Sequence, residues 1–279
     1  MKTRIITSVV ALAVLAAVLL APAIVFNIAL GAVIIIMLHE CYTSAGASKS
    51  VMAAGFLSAA AMMAAAYKGI PSAVPIWENG YIVLSVLLTV LIHMGAVVAE
   101  HGKTNYADVL ANGFLTIYIT LSMSCLAVLR AEFGTMLMLL VFICAWTTDT
   151  GAYFCGKAFG KKKLIPHVSP NKTVAGSIGG IITAITACII YIAVYLKTVG
   201  AQGTDAASWL IPSVAAGAVI GGISGVFSQI GDLAASAVKR DTGVKDFGWI
   251  FPGHGGFMDR FDSVLYISPI IYVILHFVI

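Results

Sequence analysis

Apolar residues run along this chain in long stretches, more continuous than the alternation of a half-buried strand or the single stripe of a soluble helix. A helix crosses the hydrocarbon core of a bilayer with about 20 mostly apolar residues. Runs of that order lie near 5–20, 23–38, 51–67, 81–98, 111–129, 135–153, 174–196, 209–230 and 263–279. The pattern therefore predicts an all-α, polytopic integral membrane protein with about nine transmembrane helices. Pro22 marks a tight turn between the first two runs, because proline inside a helix removes a backbone hydrogen bond. The opening MKTRIITSVVALAVLAAVLLAPA has the layout of a secretory signal. Apolar sequence resumes at once in IVFNIALGAVIIIML, so it reads as a first helix that is retained.

Two interruptions differ in kind from the short breaks: DTGAYFCGKAFGKKKLIPHVSPNKT, Asp149 to Thr173, and QIGDLAASAVKRDTGVKDFGWIFPGHGGFMDRFD, Gln229 to Asp262. Only 10% of the 279 residues are charged, yet more than half of those fall within 149–172 and 232–262. The chain thus divides into N-terminal transmembrane helices, 1–134, and a C-terminal region, 135–279, that carries both polar loops and the candidate catalytic chemistry.

With a cytoplasmic N-terminus, the inner side holds Lys2, Arg4, Lys49, Lys103, Lys157, Lys161, Lys162, Lys163, Lys172, Lys239, Arg240, Lys245 and Arg260. Only Lys68, Arg130 and Lys197 fall outside, as the positive-inside bias requires. Both charged loops are then expected at the cytoplasmic face of a bacterial-type inner (plasma) membrane. Composition agrees, with 60% hydrophobic residues and a mean hydropathy of +1.01. The net charge of +4, without a basic stripe interleaved with aromatics elsewhere, points away from nucleic acid. The 5 cysteines are scattered with no CxxC pair, which suits packing residues better than a disulfide framework or a zinc site.

The charge in the second loop has helical spacing. Asp232, Ser236, Lys239 and Arg240 stand at i, i+4, i+7 and i+8, with Gln229 one turn earlier. Thr242-Gly243 ends that helix, and Pro252-Gly253-His254-Gly255-Gly256 makes a turn whose glycines let backbone N–H groups approach an anion. Asp259 and Asp262 follow at i, i+3, with Arg260 between them. Carboxylates mixed with Lys and Arg at a membrane boundary suit phosphoryl or nucleotidyl transfer. Mg²⁺ sits on one or two carboxylates plus substrate phosphates, and cationic side chains neutralise the rest. The plain alternative is a solvated loop that stops translocation; Asp232 and Asp259 weigh against it, since each abuts an apolar run.

In the first loop Asp149, Tyr153 and Lys157 share a face, and Lys161 to Lys163 could be an inside anchor. The stretch Gly151 to Ala158 is not a P-loop, because Ala158 stands where a hydroxyl would bind Mg²⁺ and no strand precedes it. Ser169-Pro170-Asn171-Lys172-Thr173 reads as a phosphate-facing turn entering the next helix. His93 and His276, alone in apolar runs, read as packed residues.

The pattern Ser236, Lys239, Arg240, Lys245, Asp246, Gly248, Phe251, Pro252, Gly253, His254, Gly255, Gly256, Asp259, Arg260 and Asp262 resembles the signature of the phosphatidate cytidylyltransferases, also called CDP-diacylglycerol synthases. DTGAYFCGKAFGK and SPNKT are similar to the same family. The resemblance implies that CTP and phosphatidic acid give CDP-diacylglycerol and pyrophosphate. It implies help from one or two divalent cations such as Mg²⁺, a second, monovalent cation being an open alternative. Asp232, Asp259 and Asp262 are the expected metal ligands, and Ser236 a hydrogen-bond donor to phosphate. Lys172, Ser169, Lys239, Arg240, His254 and Arg260 are the expected phosphate-binding groups, His254 being as readily a backbone partner. A homodimer surrounded by membrane lipids is expected on the same ground. The chain departs from the family at Ala175, where a glutamate usually stands before Gly176. Two rivals stay open: a CTP-dependent enzyme acting on another lipid phosphate or a polyprenol, and an ion-coupled transporter. The transporter is disfavoured because the polar residues cluster at one face and no two halves match.

Overall fold

The structure, a computed structural model, describes residues 2–69, 79–199 and 206–278. The side chains of Lys2, Arg4 and Lys68, part of the charge count above, lie outside the described residues. The elements run α1 (Lys2–Leu20), α2 (Ala23–Ser44), α3 (Lys49–Gly69), α4 (Gly80–Ala99), α5 (Tyr106–Phe159), β1 (Lys163–Ile165), β2 (Ser169–Thr173), α6 (Val174–Val199), α7 (Ala206–Asp241) and α8 (Met258–Val278). Among the described residues, 7 helices are long and apolar enough to cross a membrane. The first expected run falls on α1, a helix of 19 residues. The runs at 111–129 and 135–153 fall on two helices that meet at a kink within α5, at Gly134 (φ 82, ψ 167). Glycine permits the break because its positive φ would strain any other residue.

The chain forms two compact units, Met1–Thr135 with Asp241–Phe261, and Met136–Arg240 with Asp262–Ile279.

In the first unit α4 shows why the fold is a membrane fold. Val83, Leu84, Leu87, Leu88 and Leu91 are exposed, while Ser85, Thr89 and His93 are buried. That is the reverse of a soluble helix, and it holds because lipid solvates apolar side chains and cannot satisfy polar ones. The inward groups bond to carbonyls one turn earlier: Ser85 and Thr89 donate to Ile82 O and Ser85 O, and His93 Nδ1 lies 2.9 Å from Thr89 O. Arg130 donates to Ala21 O and lies 4.7 Å above the Phe26 ring, which gives that cation two partners.

In the second unit, small residues bring helices into backbone contact. A Cβ on Gly217 or Gly221 of α7 would stand 2.5 Å from Ile189 Cα or 2.6 Å from Ile185 Cα of α6. On the α5 side, a Cβ on Gly176 or Gly180 of α6 would stand 2.7 Å from Ala152 O or 2.8 Å from Thr148 O. Without a hydrophobic drive between helices in lipid, such close approach is what holds them together. Of the five cysteines, Cys41, Cys125, Cys144 and Cys188 are buried.

Candidate active site

In the second unit, the polar segment after α5 is a hairpin where the sequence suggested a turn. β1 pairs antiparallel with β2, Lys163 opposite Thr173 and Ile165 opposite Ser169, with a register slip between them. The hairpin satisfies backbone groups that a loop would leave to water, and Pro170 is tolerated because a two-stranded ribbon is all edge. Thr173 then caps α6, its Oγ1 accepting from Gly176 N at 3.1 Å. A Cβ on Gly160 would meet Thr173 Oγ1 at 2.7 Å, so the glycine after Phe159 lets the hairpin close on its own base.

This arrangement carries Lys172 to Asp232 of α7, Nζ to Oδ2 2.6 Å. One turn on, the Ser236 hydroxyl donates to Asp232 Oδ1 at 3.4 Å. Arg240 Nε donates to Val168 O at 3.4 Å, tying the end of α7 to the hairpin loop. Asp262 lies within electrostatic reach of Asp232, Asp149 and Lys239, and its Oδ1 accepts from Ser263 N at 2.7 Å. The α7–α8 approach that brings it there is close. A Cβ on Gly231 would stand 2.7 Å from Asp262 O, and the Ser263 hydroxyl donates to Ser228 O at 3.1 Å. Ser169 is half-buried at the head of β2. Gln229, read from spacing as part of this face, instead donates to Ser177 O and Gly225 O at 3.1 and 3.0 Å. Its amide fastens α6 to α7.

In the first unit, the Pro-Gly-His-Gly-Gly segment is a closed turn. Phe251 N donates to Gly255 O at 2.9 Å and His254 N to Phe251 O at 2.8 Å, with Gly253 and Gly255 at φ 79 and 83. Asp259 is buried and braces it, Oδ2 accepting from Phe247 N at 2.8 Å and Gly256 N at 3.0 Å. His254 is half-buried and Arg260 exposed. Sequence reasoning passed over one carboxylate here. Glu40 of α2 is 4% exposed and accepts from Phe257 N and Met258 N at 3.0 and 2.9 Å, at the start of α8. The available signal was an acid inside an apolar run facing a helix with no Ser, Thr, Asp or Asn before it to cap it.

Among the described residues, no three His, Cys, Asp or Glu side chains stand together as a metal cage. Mg²⁺ asks less, since it keeps waters and takes one or two carboxylates plus substrate phosphate. Asp232 and Asp262, with Asp149 in reach, fit that requirement.

A membrane enzyme is the class this describes, and the chain belongs to the cytidylyltransferase family, which it matches over residues 2–278. Among its relatives, the phosphatidate cytidylyltransferase of Staphylococcus aureus (strain COL) is 31% identical over 277 residues, 99% of each chain. That of Staphylococcus saprophyticus is 34% identical over 199 residues, 71% of each chain. That of Bacillus subtilis is 42% identical over 144 residues, 52% of this chain and 49% of its own.

Proposed function

We propose that this protein transfers the cytidylyl group of CTP to phosphatidate, releasing pyrophosphate and leaving CDP-diacylglycerol in the membrane. The observation that carries the reading is the grouping, within one unit, of Asp232 and Asp262 with Lys172, Lys239 and Ser236. A phosphate oxygen of phosphatidate bonds to the α-phosphorus of CTP as the bond to the β-phosphate oxygen breaks, and the electron pair leaves with pyrophosphate. A phosphate monoester has a second pKa of about 6, so the nucleophile is already largely dianionic and needs no strong base. What the protein supplies is charge: Lys172, Lys239 and Arg240 hold phosphate oxygens against mutual repulsion, and Ser236 donates to one of them. Asp232 and Asp262 are the carboxylates that would hold a hard divalent cation, whose chemistry here is neutralisation of triphosphate charge. The assignment of Asp259 to metal, and of His254, Arg260 and Ser169 to phosphate, rests on the sequence pattern alone.

The same reading places the site at the cytoplasmic face, where CTP is dissolved and the lipid enters sideways, and expects a homodimer. Family membership sets the transporter aside. The test is purified protein in liposomes with labelled CTP and Mg²⁺, given phosphatidate, a polyprenyl phosphate or an ether-lipid phosphate in separate reactions. CDP-diacylglycerol and pyrophosphate in equal amounts from phosphatidate are expected; label transferred only to another acceptor overturns the assignment.

A further inference from the structure

The N-terminus of α8 has no cap of its own. Met258 opens the helix, Phe257 and Gly256 precede it, and none of these carries a side-chain acceptor. A helix start leaves its first N–H groups without intrahelical partners, and a buried start must find them elsewhere. Here they come from 217 and 218 residues away: Phe257 N donates to Glu40 Oε1 and Met258 N to Glu40 Oε2. Each carboxylate oxygen takes one amide, and the helix dipole favours the negative charge at that end.

The surrounding glycines are explained by the same carboxylate. A Cβ on Gly248 or on Gly256 would overlap the Glu40 carboxylate. Gly256 is also the residue whose N–H braces Asp259. Two buried acids thus hold one turn, Asp259 from within and Glu40 from α2.

We propose that Glu40 is a positioning residue for cytidylyl transfer: it fixes where α8 begins, and so the direction in which Asp259 in its first turn is presented. This rests on the function proposed above. An α8 that begins loosely rotates or frays at its first turn, and a carboxylate displaced by an ångström no longer stabilises charge as the transition state forms. Glu40 touches no reacting atom, so its loss lowers turnover while leaving substrate affinity in place.

The experiment uses the full chain in lipid nanodiscs, with Glu40→Gln, Glu40→Ala and Gly256→Ala compared against Leu38→Ala. Leu38 is fully buried on the same helix and controls for simple loss of α2 packing. Steady-state kinetics and amide exchange at 257–258 are read together. Glu40→Ala and Gly256→Ala are expected to lower kcat by about tenfold or more, with the KM for CTP and for phosphatidate each within about threefold. Exchange at Phe257 and Met258 is expected to quicken. Glu40→Gln, which keeps one acceptor, falls between, and Leu38→Ala lowers thermal stability without changing kcat of the folded enzyme. Quickened exchange with unchanged kcat overturns the proposal, as does a kcat loss matched by Leu38→Ala. Failure of the parent protein to make CDP-diacylglycerol sinks the underlying function instead, and the exchange result then stands by itself.

Discussion

At the scale of single residues, Asp232 is the charge on which the proposed site turns. It meets Lys172 and Ser236, and it lies within electrostatic reach of Asp262. Asp232→Asn is expected to reduce kcat by about 100-fold or more, read by CTP turnover, with unfolding temperature nearly unchanged. Lys172→Gln is expected to raise the KM for CTP by about tenfold, the loss of one charge-assisted contact of about 1.4 kcal/mol. Asp259→Asn keeps an oxygen for the turn amides and removes only the charge, so lost turnover in a stable protein would assign a role to the charge itself. Away from the site, Glu100 receives hydrogen bonds from the hydroxyls of Ser50 and Thr104. The Ser50 bond, first among the causes, holds its carboxyl below the ordinary value of 4.5. A lowered folded value means that this contribution is present above pH 4.5 and is lost as pH falls through the folded pKa. Ser50→Ala should therefore flatten the loss of thermal stability on acidification from about pH 6 to about pH 3.

Elements carry a second set of consequences. α6 opens with Thr173 as its cap and has no acidic residue in its first turn. Ala175→Glu places a negative charge there and should stabilise the protein by about 0.3–1 kcal/mol through the helix dipole, measured by thermal unfolding. A large rise in turnover beyond that would give the position a role in the chemistry. The α6–α7 contact is less forgiving. Gly221→Val would force a side chain against Ile185 Cα and Ala184 O, where a Cβ alone would stand 2.6 and 2.7 Å away. The cost is expected at about 1–3 kcal/mol, seen as a lower unfolding temperature in detergent. Glycine spacing in α7 looks unremarkable in one dimension, because it takes the facing helix to show which glycines are crowded.

For the whole molecule the open quantity is orientation. Lys162 lies in the segment predicted inside and Lys197 at the end predicted outside. Introduced one at a time as Lys162→Cys and Lys197→Cys in a Cys155→Ala background, they should react with a membrane-impermeant thiol reagent from opposite faces. The cytoplasmic face is expected for position 162. Labelling of position 162 from outside intact cells would reverse the topology and remove the site from its supply of CTP.

Membrane class and family were legible along the chain. Twenty-residue apolar runs have few other uses, and a dense motif of Asp, Lys, Arg and Gly keeps its spacing whatever surrounds it. Asp232, Ser236, Lys239 and Arg240 could be placed on one face because helical geometry is local. Hydropathy alone could not show that Ser169–Thr173 is a strand or that Gln229 fastens α6 to α7. Those outcomes depend on which partner reaches a backbone group first, and the partners are distant in sequence. Glu40 is the plainest case. In one dimension it is an acid stranded in an apolar run, and only when α2 meets the uncapped start of α8 do its two oxygens find the amides that make its burial tolerable.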